Sequence, residues 1–148
     1  NKRNMEKQPQ FPFAPKDFAR CLNATCPRSQ NCLRRTAALQ DTDEHLFLKV
    51  VNPLRYPKEG EECELFRSTD KVRMAWGVTH LLDNVPYKEG SLLRNMIINH
   101  LGRSQYYRCF RKERPFSPQD QQTIRLLFRQ RGISEEPSFD YYTNEFNW

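Results

Sequence analysis

Apolar side chains recur at helical spacing through the second half of the chain and predict four helices there. The helices are expected over residues 70–83, 91–101, 104–112 and 118–131. The inner face of the first would carry Val72, Ala75, Trp76, Thr79 and Leu82. The last has the clearest start signal, because Ser117 can cap it and Pro118 suits the first helical position.

The first half is less regular and predicts short elements. The run HLFLKVV at residues 45–51 favours a strand, since β-branched and aromatic residues are frequent in it. Pro27 suits the start of a helix, so a helix is expected over residues 28–39. Residues 1–15 are polar and then interrupted by prolines, which is typical of an extended arm.

Together these elements predict a mainly α protein built as a helix-turn-helix-like bundle, with at most a short β element. We expect three parts: a Cys-rich N-terminal lobe with its extended arm (1–66), a helical lobe (67–132) and an aromatic C-terminal tail packed on the body (133–148). The length of 148 residues is usual for one domain and sufficient for an ordinary core.

The positive charge is concentrated in one stretch. The whole chain has 24 basic and 18 acidic residues, a net charge of +6. Residues 92–131 hold nine of the basic residues and two of the acidic ones, so this stretch carries +7 and the remaining 108 residues carry −1. Eight of the nine are arginines, whose planar fork suits phosphate and guanine. Such a concentration predicts a polyanionic partner, with nucleic acid as the first candidate.

Two helices joined through Gly102, the second of them short, give the outline of a helix-turn-helix. Residues 70–131 resemble the phage-repressor-like helix-turn-helix family, and the stretch that carries the resemblance is LGRSQYYRCFRKERPFSPQDQQTIRLLF (residues 101–128). The resemblance implies a recognition helix over residues 103–108 and a basic turn at 112–115. It departs from the family at Lys112, where a glycine is usual, and in the length of the preceding helix.

The resemblance implies two sets of DNA-contacting residues. Ser104, Gln105 and Arg108 would face base edges, and glutamine and arginine are apt readers of adenine and guanine. The phosphate contacts would come from Arg103, Arg111, Lys112 and Arg114. The protein would then be a transcriptional regulator that reads DNA. A basic bundle that reads no sequence, and a protein that contacts RNA, remain alternatives.

Five cysteines give a second candidate site. Cys21, Cys26, Cys32 and Cys63 are the expected ligands of a structural zinc, because four thiolates close a tetrahedral site. Cys63 is the best candidate for the fourth ligand, and Cys109 and His45 are the alternatives to it. An iron–sulfur cluster is the alternative cofactor. If the cysteines bind no metal, we expect them to be buried free thiols or to form disulfides.

The chain is also similar to a small uncharacterised bacterial family of the Bacteroidetes type. The resemblance rests on Phe18, Cys21, Cys26-Pro27, the run Cys32-Leu33-Arg34 and the Tyr- and Arg-rich stretch near residue 106. This resemblance therefore implies no function.

Other classes of protein find little support. No phosphate-binding loop, nucleophile elbow or paired-histidine zinc motif occurs, so an enzyme is not expected. No apolar run approaches the roughly 20 residues that cross a bilayer, and an odd number of cysteines suits a reducing compartment, so we expect a cytoplasmic location without a membrane partner. The alternative function is a protein-interaction or iron–sulfur redox adaptor that binds a protein through the aromatic tail.

Overall fold

The computed structural model of the chain describes residues 12–41 and 45–148. Contacts divide the chain into a first unit, which runs to Asp70 and includes Trp148, and a second unit over residues 71–147. Most of the predicted N-terminal arm, residues 1–11, lies outside the described residues.

The first unit contains one helix, α1 (Leu33–Gln40), which buries Leu33 and Ala37 on one side. The helix begins later than predicted, because residues 29–31 form a 3-10 turn instead of a first α turn. Cys32 follows with extended backbone and serves as the N-cap of α1. Its carbonyl accepts a hydrogen bond of 3.0 Å from the Thr36 amide, so the helical ladder starts at this cysteine.

A buried arginine organises the rest of this unit. Arg20 is 2% exposed, and its guanidinium donates to both oxygens of Asp41 and to the carbonyls of Pro15, Lys16 and Phe18. A buried charge is tolerable only when it is paired and hydrogen-bonded in this way. The backbone of Arg20 forms the one parallel bridge to Val50. The strand predicted at residues 45–51 is therefore wrong, since this bridge does not extend into a ladder.

The second unit is a mixed α/β structure. Strands β1 (Lys71–Trp76) and β2 (Tyr141–Phe146) form a two-stranded antiparallel sheet in which Lys71 lies opposite Phe146 and Trp76 opposite Tyr141. Between the strands lie α2 (Tyr87–Leu101), α3 (Arg103–Phe110) and α4 (Pro118–Gln130). The predicted mainly α, helix-turn-helix-like bundle is wrong, because the described residues form a small α/β fold with four helices and this sheet.

The error arises at residues 70–83, which were predicted to be helical. Lys71–Trp76 is a strand, and Gly77 ends it with φ 75°. The partner strand lies some 65 residues further along the chain, so the pairing that decides the structure is invisible to any local pattern. On the other side of β1, Ala75 and Phe116 exchange both backbone hydrogen bonds, at 3.1 and 2.7 Å.

The core of the second unit lies between the helices and β1. Its largest fully buried side chains are Leu93, Ile97, Phe116, Ile124 and Phe128. The predicted start of α4 is confirmed: the Ser117 hydroxyl accepts from the Asp120 amide at 3.1 Å, and the Asp120 carboxylate accepts from the Ser117 amide at 3.1 Å. This reciprocal capping box fixes the first turn of α4.

One carboxylate joins three segments of the second unit. Asp140 accepts hydrogen bonds from the Thr79 hydroxyl at 2.7 Å and from the Thr79 amide at 3.2 Å, and it pairs with the Lys112 ammonium at 3.3 Å. Its own amide donates to the carbonyls of Trp76 and Gly77. The turn after β1, the turn after α3 and the start of β2 are therefore held by one side chain, which is 11% exposed.

Gly77→Ala should destabilise the second unit more than an alanine substitution at a glycine that has free space around it. A Cβ at this position would overlap Asp140 Oδ2 and lie 2.7 Å from Lys112 Cε, in a backbone with positive φ. We expect the free energy of unfolding, measured in urea, to fall by about 3 kcal/mol from strain and overpacking. Gly132→Ala is the control, because Gly132 also has positive φ but no atom within 4 Å. Equal losses in both variants would show that the clash contributes nothing.

The ionisation of Asp140 should also make the stability of the second unit depend on pH. Burial alone would raise the pKa of Asp140, but hydrogen bonds from Thr79 and the pairing with Lys112 bring the pKa below its ordinary value. A lowered native pKa gives stability that is present above the unfolded pKa of about 3.9 and is lost as the pH falls through the native value.

We therefore expect Asp140→Asn to lower the free energy of unfolding by about 2 kcal/mol at pH 7, the range for hydrogen bonds to a charged group. The difference from the native protein should shrink below about pH 4. Asp83→Asn is the control, because Asp83 is 59% exposed and pairs only with His80 at the surface. A difference that stays constant from pH 7 to pH 3 would contradict the role given to the Asp140 charge.

Candidate nucleic-acid interface

Helix α3 separates a polar face from a buried one. Tyr106 and Cys109 are buried, and Arg103, Ser104 and Arg108 are exposed. With about 100° between successive residues, Arg103, Ser104, Tyr107, Arg108 and Arg111 fall within an arc of about 140°. We call these five residues the α3 arc. The buried residues Tyr106 and Cys109 lie on the opposite side of α3, so the α3 arc faces away from the core.

Most of the positive charge in residues 92–131 is already paired. Six of its nine basic residues lie at ion-pair distance from a carboxylate. These pairs are Arg111–Glu113, Lys112–Asp140, Arg114–Asp120, Arg125–Glu136, Arg129–Glu136 and Arg131–Glu89. Within residues 12–41 and 45–148, Arg94, Arg103 and Arg108 have no carboxylate at that distance. Two of these three belong to the α3 arc.

Neighbouring side chains hold the unpaired arginines. The Arg103 guanidinium lies over the Tyr107 ring, 5.5 Å from its centroid. Arg108 donates to the Gln105 amide oxygen at 3.5 Å. Arg94 is close enough to Tyr106 for its charge to oppose the rise in the Tyr106 pKa that burial causes. Tyr107 was not predicted as a site residue, although its spacing of four from Arg103 was a usable signal.

Gln105 has a different environment from the one predicted. Its side-chain oxygen accepts hydrogen bonds from Arg114 at 3.1 Å and from Arg108 at 3.5 Å. Bidentate reading of adenine needs both the oxygen and the amino group of the amide. In this arrangement Gln105 therefore orients two arginines.

Lys112 follows α3 with φ 59°, a left-handed conformation that favours glycine. Its ammonium pairs with Asp140 and lies 5.9 Å from the centroid of the Tyr141 ring. Lys112 is therefore engaged with β2. Arg111 differs, because Arg111 and Glu113 are both exposed and such a surface pair exchanges partners at little cost.

The connection between α2 and α3 is shorter than in a helix-turn-helix. Gly102 alone joins them, with φ 84°, and its amide donates to the Ile98 carbonyl. A helix-turn-helix uses a turn of about three or four residues. The predicted stop at Gly102 is confirmed, but the following helix begins at once.

The cysteines separate into two groups. Cys109 is fully buried in the core of the second unit, and burial raises its pKa to about 11. Cys21, Cys26, Cys32 and Cys63 all line one cavity of about 30 Å³ in the first unit. We call these four residues the thiol cluster. Their backbones belong to separate local structures: Cys21 donates to the Arg34 carbonyl, Cys32 caps α1, and Cys63 starts the turn that ends at Phe66.

The thiol cluster is not arranged as a metal site. In the part of the chain that the structure describes, no three His, Cys, Asp or Glu side chains are placed to hold a metal ion. The predicted structural zinc and its iron–sulfur alternative are therefore wrong. The four thiols border one cavity, but no three of them come together in the way that a metal ion requires. All five cysteines are free.

No helix among the described residues is both long and apolar enough to cross a membrane. The predicted aromatic tail supplies β2, and Tyr141 stacks on Trp76 with centroids 5.9 Å apart.

Comparison with known proteins places the chain among proteins without an assigned role. No curated protein and no solved structure matches the chain significantly. The model of one family matches residues 5–148, which is nearly the whole length, and confirms the expected membership of an uncharacterised family. The chain belongs to DUF6078, a family of unknown function.

Proposed function

We propose that this protein binds DNA through the α3 arc and acts as a regulator of transcription. The observation that carries the proposal is the charge pairing. Of nine basic residues in residues 92–131, the arginines without a described carboxylate partner are Arg94, Arg103 and Arg108, and α3 bears two of them. Unpaired arginines on a firmly packed helix suit a polyanion, because no internal ion pair must be broken first.

The dimensions of α3 support duplex DNA as the ligand. The major groove of B-DNA is about 12 Å wide and admits an α-helix, whose diameter with side chains is about 10–12 Å. The buried side of α3 is anchored by Tyr106 and Cys109, so the arc is presented by a rigid element. The proposal rests on this face and does not require the helix-turn-helix resemblance.

Four of the five residues of the α3 arc have a direct role in the proposal. Arg108 and Ser104, one turn apart, read base edges, and Arg103 contacts phosphate. Arg111 exchanges Glu113 for a phosphate. Outside the arc, Gln105 positions Arg108, while Arg114 and Lys112 stay paired with Asp120 and Asp140.

RNA binding and a protein-interaction role are the alternatives. The same arginines would contact an RNA backbone, so the binding assay includes single-stranded and duplex RNA. A cytoplasmic location and a bacterial source belong to the proposal as well. Five free cysteines favour a reducing compartment, and the sequence resemblance alone suggests the source.

Removal of the two unpaired arginines of α3 should weaken DNA binding at every sequence. For Arg103→Ala/Arg108→Ala we expect at least about a tenfold lower affinity for a random duplex, and a log–log salt slope reduced by about 1, because Arg103 is the phosphate contact of the pair and each lost phosphate contact changes the slope by about 0.9. Fluorescence anisotropy between about 50 and 200 mM salt measures both quantities.

Arg125→Ala/Arg129→Ala is the matched control, because it removes the same charge from arginines that share Glu136. We expect a smaller loss of affinity in this variant. Equal losses in the two double variants would mean that net charge alone attracts DNA. No binding to DNA at low salt would overturn the proposal.

Arg108 and Arg103 should differ in their effect on sequence preference. Selection from a random duplex pool should give a less defined site with Arg108→Ala, since a bidentate arginine–guanine contact contributes about 1–3 kcal/mol of discrimination. Arg103→Ala should keep the site and weaken all sequences alike. An unchanged site with Arg108→Ala would remove Arg108 from base reading.

A further inference from the structure

The thiol cluster is the densest group of reactive side chains that the proposed function leaves unused. Its four cysteines border a cavity with almost entirely apolar walls, which is also lined by Arg34, Arg35 and Tyr56. Cys32 is buried, and the other three are partly exposed. A small neutral oxidant can therefore reach this cluster from solvent.

Two members of the thiol cluster line both this cavity and a second one. Cys26 and Cys63 also line a neighbouring cavity of about 290 Å³, together with Pro27, Arg28 and Pro57. Cys21 and Cys32 do not line it. Cys26 and Cys63 come from segments 37 positions apart in the chain, yet they share both cavities.

A fixed cation accompanies the cluster. Burial and the charge of Arg67 lower the pKa of Arg34, whereas the charges of Cys32, Cys21 and Cys63 act in the opposite direction. The Arg34 guanidinium is therefore within electrostatic range of three of the four sulfurs. It is held by hydrogen bonds to the carbonyls of Leu65 at 2.8 Å and Ala19 at 3.0 Å.

We propose that the thiol cluster is a site of reversible oxidation, at which a hydroperoxide joins Cys26 and Cys63 in a disulfide. Disulfides in reducing compartments are usually transient and redox-sensing, so this proposal agrees with five free cysteines in the resting protein. The proposal does not rest on DNA binding, because its observations concern the first unit and the α3 arc belongs to the second.

The reaction is balanced in two steps. A thiolate of the pair attacks one oxygen of hydrogen peroxide, the O–O bond breaks, and the sulfenic acid and hydroxide form. The second thiol then attacks the sulfenic sulfur, the S–S bond forms, and water leaves with the proton of that thiol. The hydroxide of the first step takes up the proton that the first thiol released when it ionised, so the two sulfurs are oxidised by two electrons and the peroxide is reduced to two molecules of water. A dithiol reductant reverses the change.

Cys109 provides an internal reference in the same chain. It is fully buried, its Sγ lies 3.8 Å from the Pro115 carbonyl, and burial raises its pKa to about 11. We expect Cys109 to remain a thiol under conditions that oxidise the cluster.

The test treats the reduced full-length protein with stoichiometric hydrogen peroxide and counts thiols under denaturing conditions. We expect three of the five thiols to remain, with a mass lower by two hydrogen atoms and full recovery after dithiothreitol. Tryptic mapping without reduction should link the peptides of residues 21–28 and 59–67. Cleavage at Lys and Arg leaves Cys21 and Cys26 in one peptide, so variants must distinguish them.

Cys21→Ser and Cys26→Ser form the matched pair. Cys21→Ser should keep the linked peptides, and Cys26→Ser should lose them. Several outcomes would overturn the proposal: a linkage through the peptide of residues 29–34, loss of the linkage in Cys21→Ser, oxygen adducts without a disulfide, or reaction of Cys109 before the cluster. Most of these outcomes can be observed with the native protein, so the test does not depend on whether the variants fold.

Discussion

The Asp140 carboxylate is the contact on which the second unit depends, because it holds three segments that the chain brings together from far apart. It fixes Thr79 after β1, Lys112 after α3 and the first residues of β2. Gly77 has no side chain because Asp140 and Lys112 occupy the space that its Cβ would need. Lys112 adopts a backbone conformation that costs a lysine some free energy, and its pairing with Asp140 compensates for this. The C-terminal end of α3 is thereby tied to the sheet.

This connection matters for the proposed function, because it decides which cations of residues 92–131 are paired with a carboxylate. Lys112 is attached to Asp140 and Arg114 lies beside Asp120, so two of the residues predicted to contact phosphate stabilise the fold. Arg103 and Arg108 project from the other side of α3 without a described carboxylate partner. The sequence stretch with a charge of +7 is therefore not a uniform surface. Acidic residues from elsewhere in the chain, such as Glu89, Glu136 and Asp140, pair with much of it, and among the described residues Arg94, Arg103 and Arg108 are left without a carboxylate partner.

Local signals predicted the local structures well and failed where distant segments decide. Ser117 and Asp120 cap α4 as expected, and Gly102 ends α2, because capping depends on neighbours in sequence. Val72, Ala75 and Trp76 fitted a helical spacing, but pairing with residues 141–146 makes them a strand. At the candidate site, the exposure of Arg103 and Arg108 could be predicted from their positions on a helix. The hydrogen-bond partner of Gln105 could not be predicted from the sequence. Arg114 lies nine positions away and reaches Gln105 only because the chain turns after α3.

The cysteines show how environment decides the chemistry of a residue type. A count of five thiols with irregular spacing suggested a metal site, since four cysteines in one lobe are the usual ligand set. In the folded chain, Cys109 is buried in the same core cluster as Tyr106, Phe116 and Ile124, and burial raises its pKa to about 11. The other four cysteines border one cavity, which Arg34 also lines. Free thiols around one cavity are open to oxidation to a disulfide, which is the reaction proposed for Cys26 and Cys63.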